Sequence, residues 1–123
     1  MTLEEKLKAF QNHELTIDEV VDAINGTKSL SDTTLDIQRE ERTGLAETVY
    51  GAGKSKEQIF SIIQELKTHQ ETVLVTRVEA ASSEWLLKQI PDIKTCSEGR
   101  TLLLGQPSRW KSIDDIGIVV AGT

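Results

Sequence analysis

The sequence predicts an α+β fold: an N-terminal helical hairpin, then a small mixed sheet packed with two helices, then the first strand of a truncated doubly wound α/β domain. Three observations predict it. Helix-capping signatures stand at Thr2, Thr16 and Ser55, each just ahead of apolar residues at helical spacing. Short β-rich runs alternate with the later helices. The last run, Ile116-Gly-Ile-Val-Val-Ala-Gly122-Thr123, is an unbroken apolar strand that ends in glycine, as a buried parallel strand does where it begins a βα unit. The expected divisions are 1–30 for the hairpin, 31–112 for the small α/β domain and 113–123 for the opening strand of a further domain. A chain stopping there is expected to be the N-terminal part of a longer protein.

Each element has its own warrant. Thr2-Leu-Glu-Glu5 is a capping box, and Leu3, Leu7 and Phe10 follow on one helical stripe until Asn12-His13-Glu14 breaks it. Thr16-Ile-Asp-Glu19 is a second box, with Ile17, Val20, Val21 and Ile24 as its stripe and Asn25-Gly26 as its stop. Helices this short do not stand alone, so their apolar faces need a partner surface. The polar run 27–34 reads as a linker. Short strands are expected near 34–37 and 47–50, the latter within a run that looks buried. Ser55 to Lys67 is a helix: Ile59, Ile62, Ile63 and Leu66 share a face, and Phe60 widens it. A buried strand is expected at 72–77. A helix over 79–89 sets Ala80, Ser83, Leu86, Leu87 and Ile90 on one side and ends at Pro91. Residues 93–96 and 101–104 read as a hairpin around Ser-Glu-Gly, followed by a loop that carries Arg109 and Trp110.

Composition bounds the function. The 123 residues are 37% hydrophobic and 28% charged, ordinary for one globular domain. A net charge of −6 argues against a nucleic-acid module, which presents a basic face. No apolar run nears the roughly 20 residues that span a bilayer, and the N-terminus lacks the charged and apolar regions of a secretion signal. The single cysteine, Cys96, cannot form an internal disulfide and suits a reducing compartment. The expectation is a cytoplasmic protein with neither nucleic acid nor membrane as partner. Cys96 reads as a small core residue rather than a nucleophile. His13 and His69 read as surface residues without a spaced metal-binding partner.

The chemistry-bearing stretch runs from Asp36 to Gln58. Gly51-Ala52-Gly53-Lys54-Ser55 looks like a phosphate loop, but such a loop needs a glycine where Thr48 stands, so a nucleoside-triphosphatase cradle is rejected. A weaker anion site stays open, since a strand ends in two glycines and a helix starts at Ser55 with Lys54 beside it. The plainer reading is a glycine turn and a Ser55–Gln58 helix cap. Arg39 and Arg42 read either as a salt-bridged surface with Asp36, Glu40 and Glu41, or as two guanidinium forks that suit a phosphate or carboxylate.

The pattern Asp36-x-x-Arg39-x-x-Arg42-x-Gly44-x-x-Glu47-x-x-Tyr50-Gly51-x-Gly53-Lys54-Ser55-x-x-Gln58 resembles the N-terminal domain of the LarB-type carboxylase/hydrolase family. Thr76-Arg77 and the terminal Val-Val-Ala-Gly122-Thr123 look like that family's next landmarks. One departure is Ala46, where many relatives carry proline. The resemblance implies an enzyme that carboxylates the pyridine ring of nicotinate adenine dinucleotide and hydrolyses its phosphoanhydride, releasing AMP. The product would be pyridinium-3,5-biscarboxylic acid mononucleotide, a precursor of the nickel-pincer nucleotide of lactate racemase. Carbon dioxide or bicarbonate would be co-substrate and magnesium a candidate cofactor of the full-length enzyme, with no cofactor bound by this part. The catalytic cysteine and glutamate would lie in a second, PurE-like half that assembles as octamers. Cys96 does not match that position.

The chain would then be an accessory domain, inactive alone, that helps to close the dinucleotide site against its own catalytic half. Arg39, Arg42, Gly51, Gly53, Lys54, Thr76, Arg77, Gly122 and Thr123 carry over as substrate-binding candidates, and Asp36 and Glu47 as residues that orient the arginines. Two readings compete: an acidic α+β protein-interaction module, and a small nucleotide-binding regulator.

Overall fold

The computed structural model describes residues 1–106 together with Gly117 and Val119. The expected strand at 116–121, the loop with Arg109 and Trp110, and the candidates Gly122 and Thr123 lie outside the described residues.

Two helices open the chain, α1 (Leu3–Gln11) and α2 (Ile17–Asn25). Both start on the expected boxes. The Thr2 hydroxyl accepts from the Glu5 amide while the Glu5 carboxylate accepts from the Thr2 N–H, and Thr16 and Glu19 repeat the exchange. Gly26 ends α2 in the left-handed conformation, at φ 66°.

The run expected to be a linker is instead a strand. Here β1 (Thr27–Ser29) pairs antiparallel with β2 (Thr34–Asp36), Lys28 opposite Leu35. Its polar composition hid it, because its stabilising partner comes from another element: the Asp22 carboxylate of α2 accepts from the Ser29 amide at 2.7 Å and from the Thr27 and Ser29 hydroxyls at 2.9 Å. A single turn of helix, α3 (Arg39–Thr43), follows and stops at Gly44 with φ 76°.

The main sheet has the order β3-β4-β6-β5, with β3 (Thr48–Tyr50), β4 (Val73–Thr76), β5 (Lys94–Cys96) and β6 (Thr101–Leu104). The pair β3–β4 is parallel and the other pairs are antiparallel, so the sheet is mixed. Two helices, α4 (Lys56–Leu66) and α5 (Ala80–Gln89), pack on one of its faces. Val49, Val73, Val75 and Leu102 point into the core against Ile59, Ile62, Ile63, Leu66, Leu86 and Ile90. Phe60 meets Trp85 edge-to-face at 5.9 Å, and Lys56 sits 5.2 Å from the Trp85 ring. Leu35 ties the two-stranded sheet into the same core.

Two expected burials fail. Tyr50, in a run that looked buried, is 59% exposed, because only Val49 of β3 faces the helices and period-two alternation turns its neighbours outward. Cys96 is exposed rather than core, because β5 is an edge strand with all three residues at the surface. Among the described residues no helix is long and apolar enough to cross a membrane.

Candidate functional site

The central stretch does not fold into one cluster. Strand β3 divides it, with one group of candidates at each end. Before β3 lie Asp36, Arg39, Arg42 and Glu47; after it lie Gly51, Gly53 and Lys54, joined there by Thr76 and Arg77 from the end of β4.

In the first group Arg42 is already engaged. Its Nη2 donates to Asp36 Oδ2 at 2.5 Å and its Nη1 to Oδ1 at 3.4 Å, a fork on one carboxylate. That hydrogen bond, and then the guanidinium charge, hold the Asp36 carboxyl below its ordinary value, and the same contact raises Arg42. Asp36 therefore pairs with Arg42 at the surface. Glu47 is held through its backbone, its amide donating to Gln70 Oε1 at 3.2 Å and its carbonyl accepting from Gln70 Nε2 at 3.0 Å. Arg39 lines an open groove that also takes in Glu40, Glu41, Glu47 and Glu71. The carboxylates there outnumber Arg39 and Lys67, so the groove is a poor host for a polyphosphate.

The second group sits at the carboxyl ends of the two parallel strands. Tyr50 pairs with Thr76, and just past them the Gly51 amide donates to the Thr76 carbonyl at 2.7 Å. This close approach explains one glycine. A Cβ on Gly51 would stand 2.7 Å from that carbonyl oxygen and 3.3 Å from the oxygen of Arg77. Gly53 has φ 77° with open space around it, so its turn, not its packing, requires glycine. The Lys54 ammonium donates to the Tyr50 carbonyl at 2.7 Å. Ser55 and Gln58 form the expected box, with Gln58 Oε1 accepting from the Ser55 amide at 2.7 Å and Ser55 Oγ from the Gln58 amide at 3.1 Å. Two amides of the α4 N-terminus are thus already satisfied. The Thr76 hydroxyl donates to the Val49 carbonyl at 3.4 Å. Arg77 is exposed and left-handed, at φ 57°, and holds no ion pair or side-chain hydrogen bond among the described residues.

Arg100 escaped sequence reasoning. It precedes β6, is also left-handed at φ 51°, and its carbonyl accepts from the Val78 amide at 2.9 Å. The sequence offered no cue, since only the β4–β6 pairing brings it beside Arg77. Among the described residues no group of three or more His, Cys, Asp or Glu side chains is placed to hold a metal ion.

Comparison with known proteins bears on this layout. An uncharacterized protein of Methanocaldococcus jannaschii is 32% identical over 131 residues, an alignment that takes in 98% of this chain and 51% of that protein. The chain thus spans about half the length of the relative it matches. A family model described as the LarB/PurE-like N-terminal domain matches residues 27–106. The matched span begins at β1, takes in the whole motif from Asp36 to Gln58 and both arginines past β4, and leaves out only the helical hairpin and the last 17 residues. On that span the chain belongs to the LarB/PurE-like N-terminal domain family.

Proposed function

We propose that this chain is the N-terminal accessory domain of a carboxylase/hydrolase acting on nicotinate adenine dinucleotide. The whole enzyme would carboxylate the pyridine ring with carbon dioxide or bicarbonate and hydrolyse the phosphoanhydride, giving AMP and pyridinium-3,5-biscarboxylic acid mononucleotide for the nickel-pincer cofactor of lactate racemase. The observation that carries this reading is the family match over residues 27–106, in a chain that spans about half of its relative. The partners would be its own PurE-like catalytic half, the dinucleotide, and further copies in an octamer of the cytoplasm.

The domain's own part is to present charge. The carboxyl ends of parallel strands are where open α/β sheets receive ligands, and here they carry Lys54, Thr76 and Arg77. A guanidinium with no carboxylate partner among the described residues, like that of Arg77, remains available to a phosphate.

The chain alone, given nicotinate adenine dinucleotide and bicarbonate, is expected to release no AMP. Fused to the catalytic half of a family member, it is expected to raise AMP release above that of the half alone. Failure of the fusion to do so would overturn the accessory role.

The competing reading, an acidic protein-interaction module, draws on one observation. Leu7, Ile17, Val21 and Ile24 of the hairpin are exposed. Titration separates the two: saturable amide shifts at 51–54 and 76–77 with nicotinate adenine dinucleotide favour a dinucleotide site, and an unmoved spectrum favours the module.

A further inference from the structure

We propose that Lys54, Arg77 and Arg100 form a single anchor for a diphosphate, with Arg100 as a binding residue outside the central motif. The inference deepens the dinucleotide reading above and rests on it for the identity of the natural ligand.

The topology brings the three together. Strands β3 and β4 run parallel and end side by side at Tyr50 and Thr76. Strand β6 runs antiparallel to β4, and the ladder ends with Val75 opposite Leu102, three residues before Val78 on one side and two after Arg100 on the other. The Val78 amide, 2.9 Å from the Arg100 carbonyl, keeps the two chains together beyond the ladder. Gly51 closes the other side, its amide on the Thr76 carbonyl. Three adjacent strands, about 4.8 Å apart, therefore each deliver one cation to the same edge of the sheet.

Among the described residues no carboxylate forms an ion pair with the charge on that edge. The Lys54 ammonium donates to the Tyr50 carbonyl and Arg100 Nε to the Val78 carbonyl at 3.5 Å. Both contacts orient the side chain and neither neutralises it, because a carbonyl carries no net charge. None of the three makes an ion pair among the described residues, although Glu79 and Glu98 each lie two residues away in sequence from Arg77 and Arg100. In a chain of net charge −6 this is a local reversal of sign. Arg77 and Arg100 both hold left-handed backbone, which asparagine and glycine adopt more readily, so each position keeps an arginine at a conformational cost. Three cations at neighbouring strand ends, two of them oriented by carbonyls, suit a group with two or more negative charges, and a lone carboxylate would engage only part of the set.

The test is titration of the 123-residue chain with inorganic pyrophosphate, followed by amide shifts, with nicotinate as the monocarboxylate arm. Saturable shifts are expected at 54, 77 and 100, with much weaker ones from nicotinate. Arg100→Asn removes the charge while keeping a residue at ease in left-handed backbone, so the fold survives; it is expected to weaken pyrophosphate about tenfold. Arg100→Lys is expected to retain most of the affinity, and Lys88→Gln, in the last turn of α5, all of it. Equal affinity of Arg100→Asn and the unaltered chain, or shifts centred on 39–42, would overturn the anchor. So would tighter binding of nicotinate than of pyrophosphate. These outcomes are independent of AMP release by the fused enzyme, so failure of the anchor and failure of the accessory role are told apart.

Discussion

Gly51 shows how one residue can be fixed by its surroundings rather than by ligand chemistry. Its amide bonds the Thr76 carbonyl, and any Cβ would press on that same oxygen at 2.7 Å. Backbone cannot give way as the tip of a flexible side chain can. Gly51→Ala is therefore expected to cost about 2 kcal/mol and to separate the ends of β3 and β4, measurable as a lowered denaturant midpoint. Arg42 is the contrasting case. In sequence it reads either as a ligand fork or as a surface ion pair, and in the structure Asp36 occupies it at the surface. Arg42→Gln is expected to leave the denaturant midpoint nearly unchanged, since exposed pairs contribute little.

Among the elements, α4 and the hairpin are held by different forces. Helix α4 buries Ile59, Ile62, Ile63 and Leu66 almost completely. Ile62→Ala is expected to cost about 2–5 kcal/mol from lost transfer energy and a residual cavity, whereas Ile17→Ala, at a position 63% exposed, is expected to change the same denaturant curve very little. The hairpin depends instead on its caps. Hydrogen bonds from the Thr2 backbone and hydroxyl lower the pKa of Glu5, those from Thr16 lower that of Glu19, and bonds from Ser29 and then Thr27 lower that of Asp22. A carboxylate whose folded pKa is depressed contributes stability that is present above its unfolded value and is lost as pH falls through the folded value. The hairpin is therefore expected to loosen as pH drops below about 4, followed as the helical circular-dichroism signal of the chain against that of a Thr16→Ala variant, which should lose less.

At the scale of the whole molecule, burial is uneven. Of the two hairpin helices only Ala9 and Val20 are buried, while the sheet and its two helices share one continuous core. Opening free energy follows local burial. Amides of α1 and α2 are expected to exchange with solvent orders of magnitude faster than those of α4 and β4, and comparable protection across both would show that the hairpin is held by more than these contacts. The sheet is likewise one-sided: Leu74 and Tyr50 lie on the face turned away from α4 and α5.

Local chemistry was written in the sequence. Thr2, Thr16 and Ser55 capped the helices where their boxes stood, Gly26 and Gly44 stopped them, and the stripe Ile59–Ile62–Ile63–Leu66 named the core face of α4, because each depends on residues within one or two helical turns. The motif from Asp36 to Gln58 likewise carried the family. What depends on distant partners was decided only in three dimensions. Strand β1 forms because Asp22 reaches it from another element, and Cys96 and Tyr50 are exposed because strand order and pleat direction put them there. The same holds for the candidate site. The sequence set Arg39 and Arg42 close to Lys54, but strand β3 keeps them at opposite ends, whereas the β4–β6 register carries Arg100 to Arg77 across 23 residues of chain, since in a sheet proximity follows hydrogen-bonded register and not distance along the sequence.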